Sequence, residues 1–89
     1  MSKYLIEGKK ALRVSNDGRC LEMTMSYPNN AGSWSRMYTL SSGQGNCIEE
    51  IVRINSNQIH VITDRCRLQF QYSSSPNDTN CNYQSYYSL

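Results

Sequence analysis

"KKALRVSNDGRCLEMTM", residues 9–25, is the stretch whose reading decides the fold. Ala11, Val14, Gly18, Leu21 and Met25 fall on one helical stripe, whereas Leu21, Met23, Met25 and Tyr27 alternate as a strand does. Ser15-Asn16-Asp17 and Gly18 weaken a helix, because they favour turns or leave the backbone loose. Pattern alone leaves both readings open here. The second half of the chain is plainer. "IVRINSNQIHVITDRCRLQFQY", residues 51–72, reads as three successive strands, with Asp64-Arg65 near the second turn. Ser56-Asn57 supplies a two-residue hairpin turn closed by Asn55 and Gln58.

That register sets Ile54 against Ile59, Arg53 against His60, Val52 against Val61 and Ile51 against Ile62. Val52, Ile54, Ile59 and Val61 then share an apolar face, and Arg53 and His60 lie side by side on the other. Leu68, Phe70 and Tyr72 alternate in the next strand. Continuing the ladder places Cys47 opposite Cys66 as a cross-strand bridge. Cys20 and Cys81 would then close the chain's ends, each bridge contributing about 2–4 kcal/mol.

The chain has 89 residues, 38% of them apolar, which is one domain near the size where a hydrophobic core alone is marginal. Four cysteines in a short chain rich in Ser, Asn and Tyr point to disulfides and secretion. Their spacings include no CxxC and there is a single histidine, which argues against a zinc site. "MSKYLIEGKK" has no apolar signal core, so a secreted protein would be a mature form, and no run is long enough to span a membrane. A net charge of +2 gives no argument for nucleic acid by itself. Ser/Asn-rich stretches at 26–35, 41–46 and 73–80 read as loops. "RCLEMTMSYPNN" and "RCRLQFQYSSSPND" look alike, but over too short a span to establish a repeat.

"SYPNN" at 26–30, "WSRMYTLSSG" at 34–43 and "IVRINSNQIHVITDRC" at 51–66 follow an order similar to that of guanyl-specific fungal ribonucleases. The resemblance implies an α+β fold, with one N-terminal helix somewhere in 9–24 packed on an antiparallel sheet. It places RNA on the face of Arg53 and His60. It also implies that the catalytic set is gone. Arg36 stands at the family's glutamate base, Ile51 at its arginine, and Asp64 or Arg65 at its acid histidine. Asn29 replaces the histidine after Tyr-Pro, and only Tyr27 survives. An arginine cannot serve as the base that activates the ribose hydroxyl.

A small cysteine-bearing chain of this kind resembles the RNase-like effectors of powdery mildew fungi. "YLIEG" is similar to their N-terminal Tyr-x-Cys element, with Ile6 where the cysteine would be. The resemblance implies a secreted, monomeric virulence effector without cofactor or metal, delivered into plant cells. There it would bind a host protein and be recognised by an immune receptor of the nucleotide-binding leucine-rich-repeat class. The candidate binding face comprises Tyr27, Trp34, Arg36, Tyr38, Arg53, His60, Asp64 and Arg65. Trp34, Arg36 and Tyr38 alternate onto one side, a basic-aromatic surface able to stack bases and hold phosphates. Two other readings stand beside this one: an active ribonuclease, and an unrelated β-rich inhibitor or phage-type protein working in a reducing cell.

Overall fold

The computed structural model describes residues 2–29 and 32–89. Met1 lies outside the described residues, as do positions 30 and 31 of the loop expected over 26–35. Residues 9–25 form two strands and a turn. Ser15 O accepts from Gly18 N–H at 2.9 Å, while Asp17 Oδ1 accepts from the Ser15 hydroxyl at 2.6 Å and from Arg19 N–H at 3.0 Å. Gly18 sits at φ 79°, and a Cβ there would approach the Cys47 Cβ to 2.9 Å. Local hydrogen bonds from short polar side chains and a left-handed glycine break any helix at this point. The expected α+β fold with an N-terminal helix is therefore overturned: among the described residues there is no helix, and the architecture is all-β.

Strands β1 (Tyr4–Glu7), β2 (Lys10–Val14), β3 (Cys20–Thr24) and β4 (Ser35–Thr39) make one antiparallel sheet in that order. Strands β5 (Ile48–Asn55), β6 (Gln58–Thr63), β7 (Cys66–Gln71) and β8 (Asn82–Ser88) make the second. Leu12, Val14, Leu21 and Met23 of the first sheet meet Ile48, Ile51, Ile59, Val61, Leu68 and Phe70 of the second in a single core. The halves are stitched where Ile51 N–H donates to Ser2 O at 2.9 Å and Ile48 N–H to Gly18 O at 2.7 Å. Arg19-Cys20 and Arg65-Cys66 each lead into the third strand of their sheet, but Cys66 belongs to the core cluster and Cys20 does not. The likeness of those two segments is thus out of phase across the sandwich.

The β5–β6 hairpin closes on Asn55 and Gln58, as the turn predicts, and then departs from the expected register. Ile54 is an extra residue in β5, so Arg53 faces Ile59, Val52 faces His60 and Ile51 faces Val61. One inserted residue sends every side chain beyond it to the opposite face. Ile51 is consequently core at 4% exposed, Ile54 is 46% exposed, and Val52 shares the outer face with His60.

The same irregularities undo the expected disulfides. Asp64 N–H donates to Cys47 O at 3.2 Å, and the chain turns there, which carries Cys66 into β7 instead of opposite Cys47. Cys20 lies on β3 beside Thr39, and Cys81 precedes β8 at the far end; none of the four is paired.

Burial pushes the Cys81 thiol up from 9.0 to about 12, and burial likewise raises the Tyr72 phenol. Both groups keep their protons in the folded state, while the unfolded chain begins to release them near pH 9 and pH 10. The thiol's contribution is complete below pH 9 and is lost as pH rises towards about 12, and the phenol's is complete below pH 10 and is lost above it. Lys10 acts in the opposite sense, because burial lowers its pKa below 10.5. Thermal melts of the wild type should decline from pH 8.5 to pH 10 in the window set by the thiol, and Cys81→Ser should flatten that decline. An unchanged slope in the variant would show that the thiol is not desolvated.

Candidate functional site

The eight candidate residues are dispersed by the fold. Arg53 is on the core side of β5, where its guanidinium grips Glu7 at 2.6 and 2.9 Å and donates to Tyr72 O at 2.6 Å. It is a structural cation with most of its donors engaged. His60 faces outward on the second sheet, its Nε2 3.2 Å from Gln69 Oε1 and its ring 6.2 Å from that of Tyr87. Asp64 Oδ1 accepts from the backbone N–H groups of Asn46 at 2.7 Å and Cys47 at 3.2 Å, which holds its carboxyl below the usual carboxylate range. It fastens the β4–β5 connection to the β6–β7 turn. Arg65 is exposed on that turn, and Tyr27 is half-buried with its N–H donating to Lys9 O at 2.9 Å.

Tyr38 leaves the expected row because β4 carries a bulge. Leu21 faces Tyr38, but Glu22 faces Arg36, with Met37 as the extra residue. Tyr38 therefore turns inward with Leu21. Its ring meets Phe70 edge-on at 5.0 Å and stacks on Tyr83 at 5.4 Å, while its hydroxyl takes a hydrogen bond from the Gln44 amide at 2.7 Å. A concave face uniting Arg53, His60 and Tyr38 with Trp34 does not exist.

A different surface does form, on the outside of the first sheet. Cross-strand pairing places Tyr4, Arg13, Glu22 and Arg36 in one row, with Ile6 in the next. Arg13 Nε donates to Glu22 Oε1 at 2.7 Å, and its guanidinium lies 4.2 Å from the centre of the Trp34 ring. An arginine fixed on one side by a carboxylate and on the other by an indole has little rotamer freedom left to lose on binding. Tyr4 and Ile6 flank it at 48% and 47% exposed. Of the predicted residues, Trp34 and Arg36 belong here. Tyr4, Ile6 and Arg13 were missed, although "YLIEGKKALRV" holds the signal: Gly8, at φ 69°, opens a two-residue turn between alternating runs.

This surface presents guanidinium groups, a carboxylate and aromatic rings, groups suited to recognition. Arg36 cannot act as a base, and His60 lies on the other sheet, where its Nε2 meets the Gln69 amide oxygen at 3.2 Å. Among the described residues no group of His, Cys, Asp and Glu side chains is arranged to hold a metal ion. Arg36→Glu on this outer row should leave stability within about 0.5 kcal/mol, whereas Arg53→Glu should cost about 2 kcal/mol by setting two carboxylates together and stripping Tyr72 O of its donor. Urea unfolding of both variants checks this; equal midpoints would mean that Arg53 is a surface residue after all. No protein-family model, curated protein or solved structure matches the chain.

Proposed function

We propose that this chain is a non-catalytic binding protein that docks on another protein through the outer face of its first sheet. The observation that carries the reading is Arg13 held between Glu22 and Trp34, with Tyr4 and Ile6 exposed beside it. Trp, Tyr and Arg are the residue types that dominate interface energetics, and here they gather on the outer side of one sheet. The fungal-effector reading loses the helix-on-sheet scaffold that its resemblance implies, so the plant host protein and the immune receptor have no structural support in this fold. The role of binding without catalysis does not depend on that scaffold. Of the three readings drawn from the sequence, a small β-rich inhibitor acting by docking fits the two-sheet sandwich best.

The test compares wild type with Tyr4→Ser and Arg36→Glu in quantitative affinity enrichment from cells, followed by reconstitution with the purified partner. A protein retained by wild type and weakened about tenfold or more by each substitution supports the reading. A reconstituted partner indifferent to both places recognition elsewhere. Single-stranded RNA bound with a steep salt dependence that Arg36→Glu abolishes would replace the protein partner with a nucleic acid.

A further inference from the structure

The second sheet ends on β8, which among the described residues pairs only with β7. An edge strand offers unpaired backbone donors and acceptors, and proteins commonly guard such edges with charge, proline or bulges. The other described edges are guarded. β1 carries Glu7 and lies against β5, whose Ile51 N–H reaches Ser2 O; β5 carries Glu49, Glu50 and Arg53; β4 carries Arg36 and the Met37 bulge. β8, "NYQSYYS", has a bulge at Gln84 but no charged residue and no proline, so its stretch from Ser85 to Ser88 carries none of these guards. Its Tyr83, Tyr86 and Tyr87 are 42%, 48% and 43% exposed, far more than the buried ring of Phe70 on the neighbouring β7 at 0%. Tyr86 lies opposite Leu68 on the core side of the sheet, and Tyr87 lies opposite Arg67 on the outer side.

We propose that β8 is a self-pairing edge: two copies of the chain associate by antiparallel β8–β8 pairing about a two-fold axis, in place of the monomer expected from the sequence. Charge decides the occupant. In a two-fold antiparallel pair, each residue meets one from the same strand, and the residue on the axis meets itself. A charge on the axis would face its own like charge, and charges placed symmetrically about it would face each other, which destabilises directly opposed positions of like sign. β8 has no such charge to oppose itself. The extra residue in its pairing with β7 is Gln84, so the regular part of the strand runs from Ser85 to Ser88. An axis at Tyr86 sets Tyr86 against Tyr86 of the second copy and Ser85 against Tyr87. The two second sheets then become one continuous sheet, and tyrosine rings from both copies are covered on each of its faces. This surface is separate from the docking face of the first sheet.

Sedimentation velocity and light scattering from low to high micromolar concentration test the proposal. Wild type should pass from monomer to dimer, Tyr86→Phe should do the same, and Tyr86→Lys should stay monomeric throughout with an unchanged circular dichroism spectrum. Tyr4→Ser, on the docking face, should dimerise like wild type, which separates failure of this proposal from failure of the docking role. If Tyr86→Lys does not fold, hydrogen exchange of wild-type β8 amides decides: protection should rise with protein concentration. A wild type that is monomeric at every concentration, a Tyr86→Lys protein that still dimerises, or β8 protection independent of concentration overturns the proposal.

Discussion

Lys10→Met should lower stability by about 3 kcal/mol, a fall in melting temperature of roughly 12–24 °C for a domain of this size. Lys10 is 1% exposed, yet its ammonium is fully engaged. It donates to the carbonyls of Ser73, Ser75 and Asp78 at 2.6, 2.7 and 2.8 Å, and lies 4.4 Å from the centre of the Tyr72 ring. Burial lowers its pKa, so the charged form is costly without these partners. Methionine keeps the apolar stem and removes every donor, which leaves three loop carbonyls to find water or go unpaired. Lys9→Met, one residue earlier on an exposed turn, should be nearly neutral. A Lys10→Met protein that melts within a few degrees of wild type would mean that the 73–80 loop does not depend on the ammonium.

Ile51→Asp should unfold the protein, while Val52→Asp should be tolerated with a loss of about 1 kcal/mol or less. In the register expected from the turn alone, Val52 is core and Ile51 lies on the opposite face. The bulge at Ile54 reverses the two, putting Ile51 against Val61 in the core and Val52 against His60 outside. An aspartate at position 51 has no cation among its core neighbours Ile48, Ile59 and Val61. Circular dichroism of the two variants reads the register directly. If Val52→Asp is the unfolded one, the bulge is absent. Val61→Asp should unfold in either register, so it serves as the positive control.

The parts of this fold legible in the sequence are those set by neighbours in the chain. The Asn55–Gln58 closing pair follows from a two-residue turn between apolar runs, and Leu68, Phe70 and Tyr72 alternate into the core as written. Bulges are another matter. The Ile54 bulge turns Arg53 towards Glu7 and the Tyr72 carbonyl, partners 46 and 19 residues away, and no local pattern encodes that. The Met37 bulge likewise sends Tyr38 into the core while leaving Trp34 and Arg36 outside. Residues 9–25 were legible in principle. Ser15, Asp17 and Gly18 carry the turn that ends the helical reading, and the ribonuclease resemblance outweighed them. Without the β1–β2 hairpin, Tyr4, Ile6 and Arg13 have no face in common, so this cluster on the first sheet is not legible in the sequence.

Each sheet is built from one uninterrupted half of the chain, an arrangement that invites each half to fold by itself as it leaves the ribosome. Lys10 works against it. Its three acceptors come 63, 65 and 68 residues later, so the first half gains its buried, hydrogen-bonded ammonium only once residues 73–78 are in place. Two sheets drawn as separate modules thus become a single all-or-none unit, and a truncated product would expose its incompleteness to cellular proteases at once.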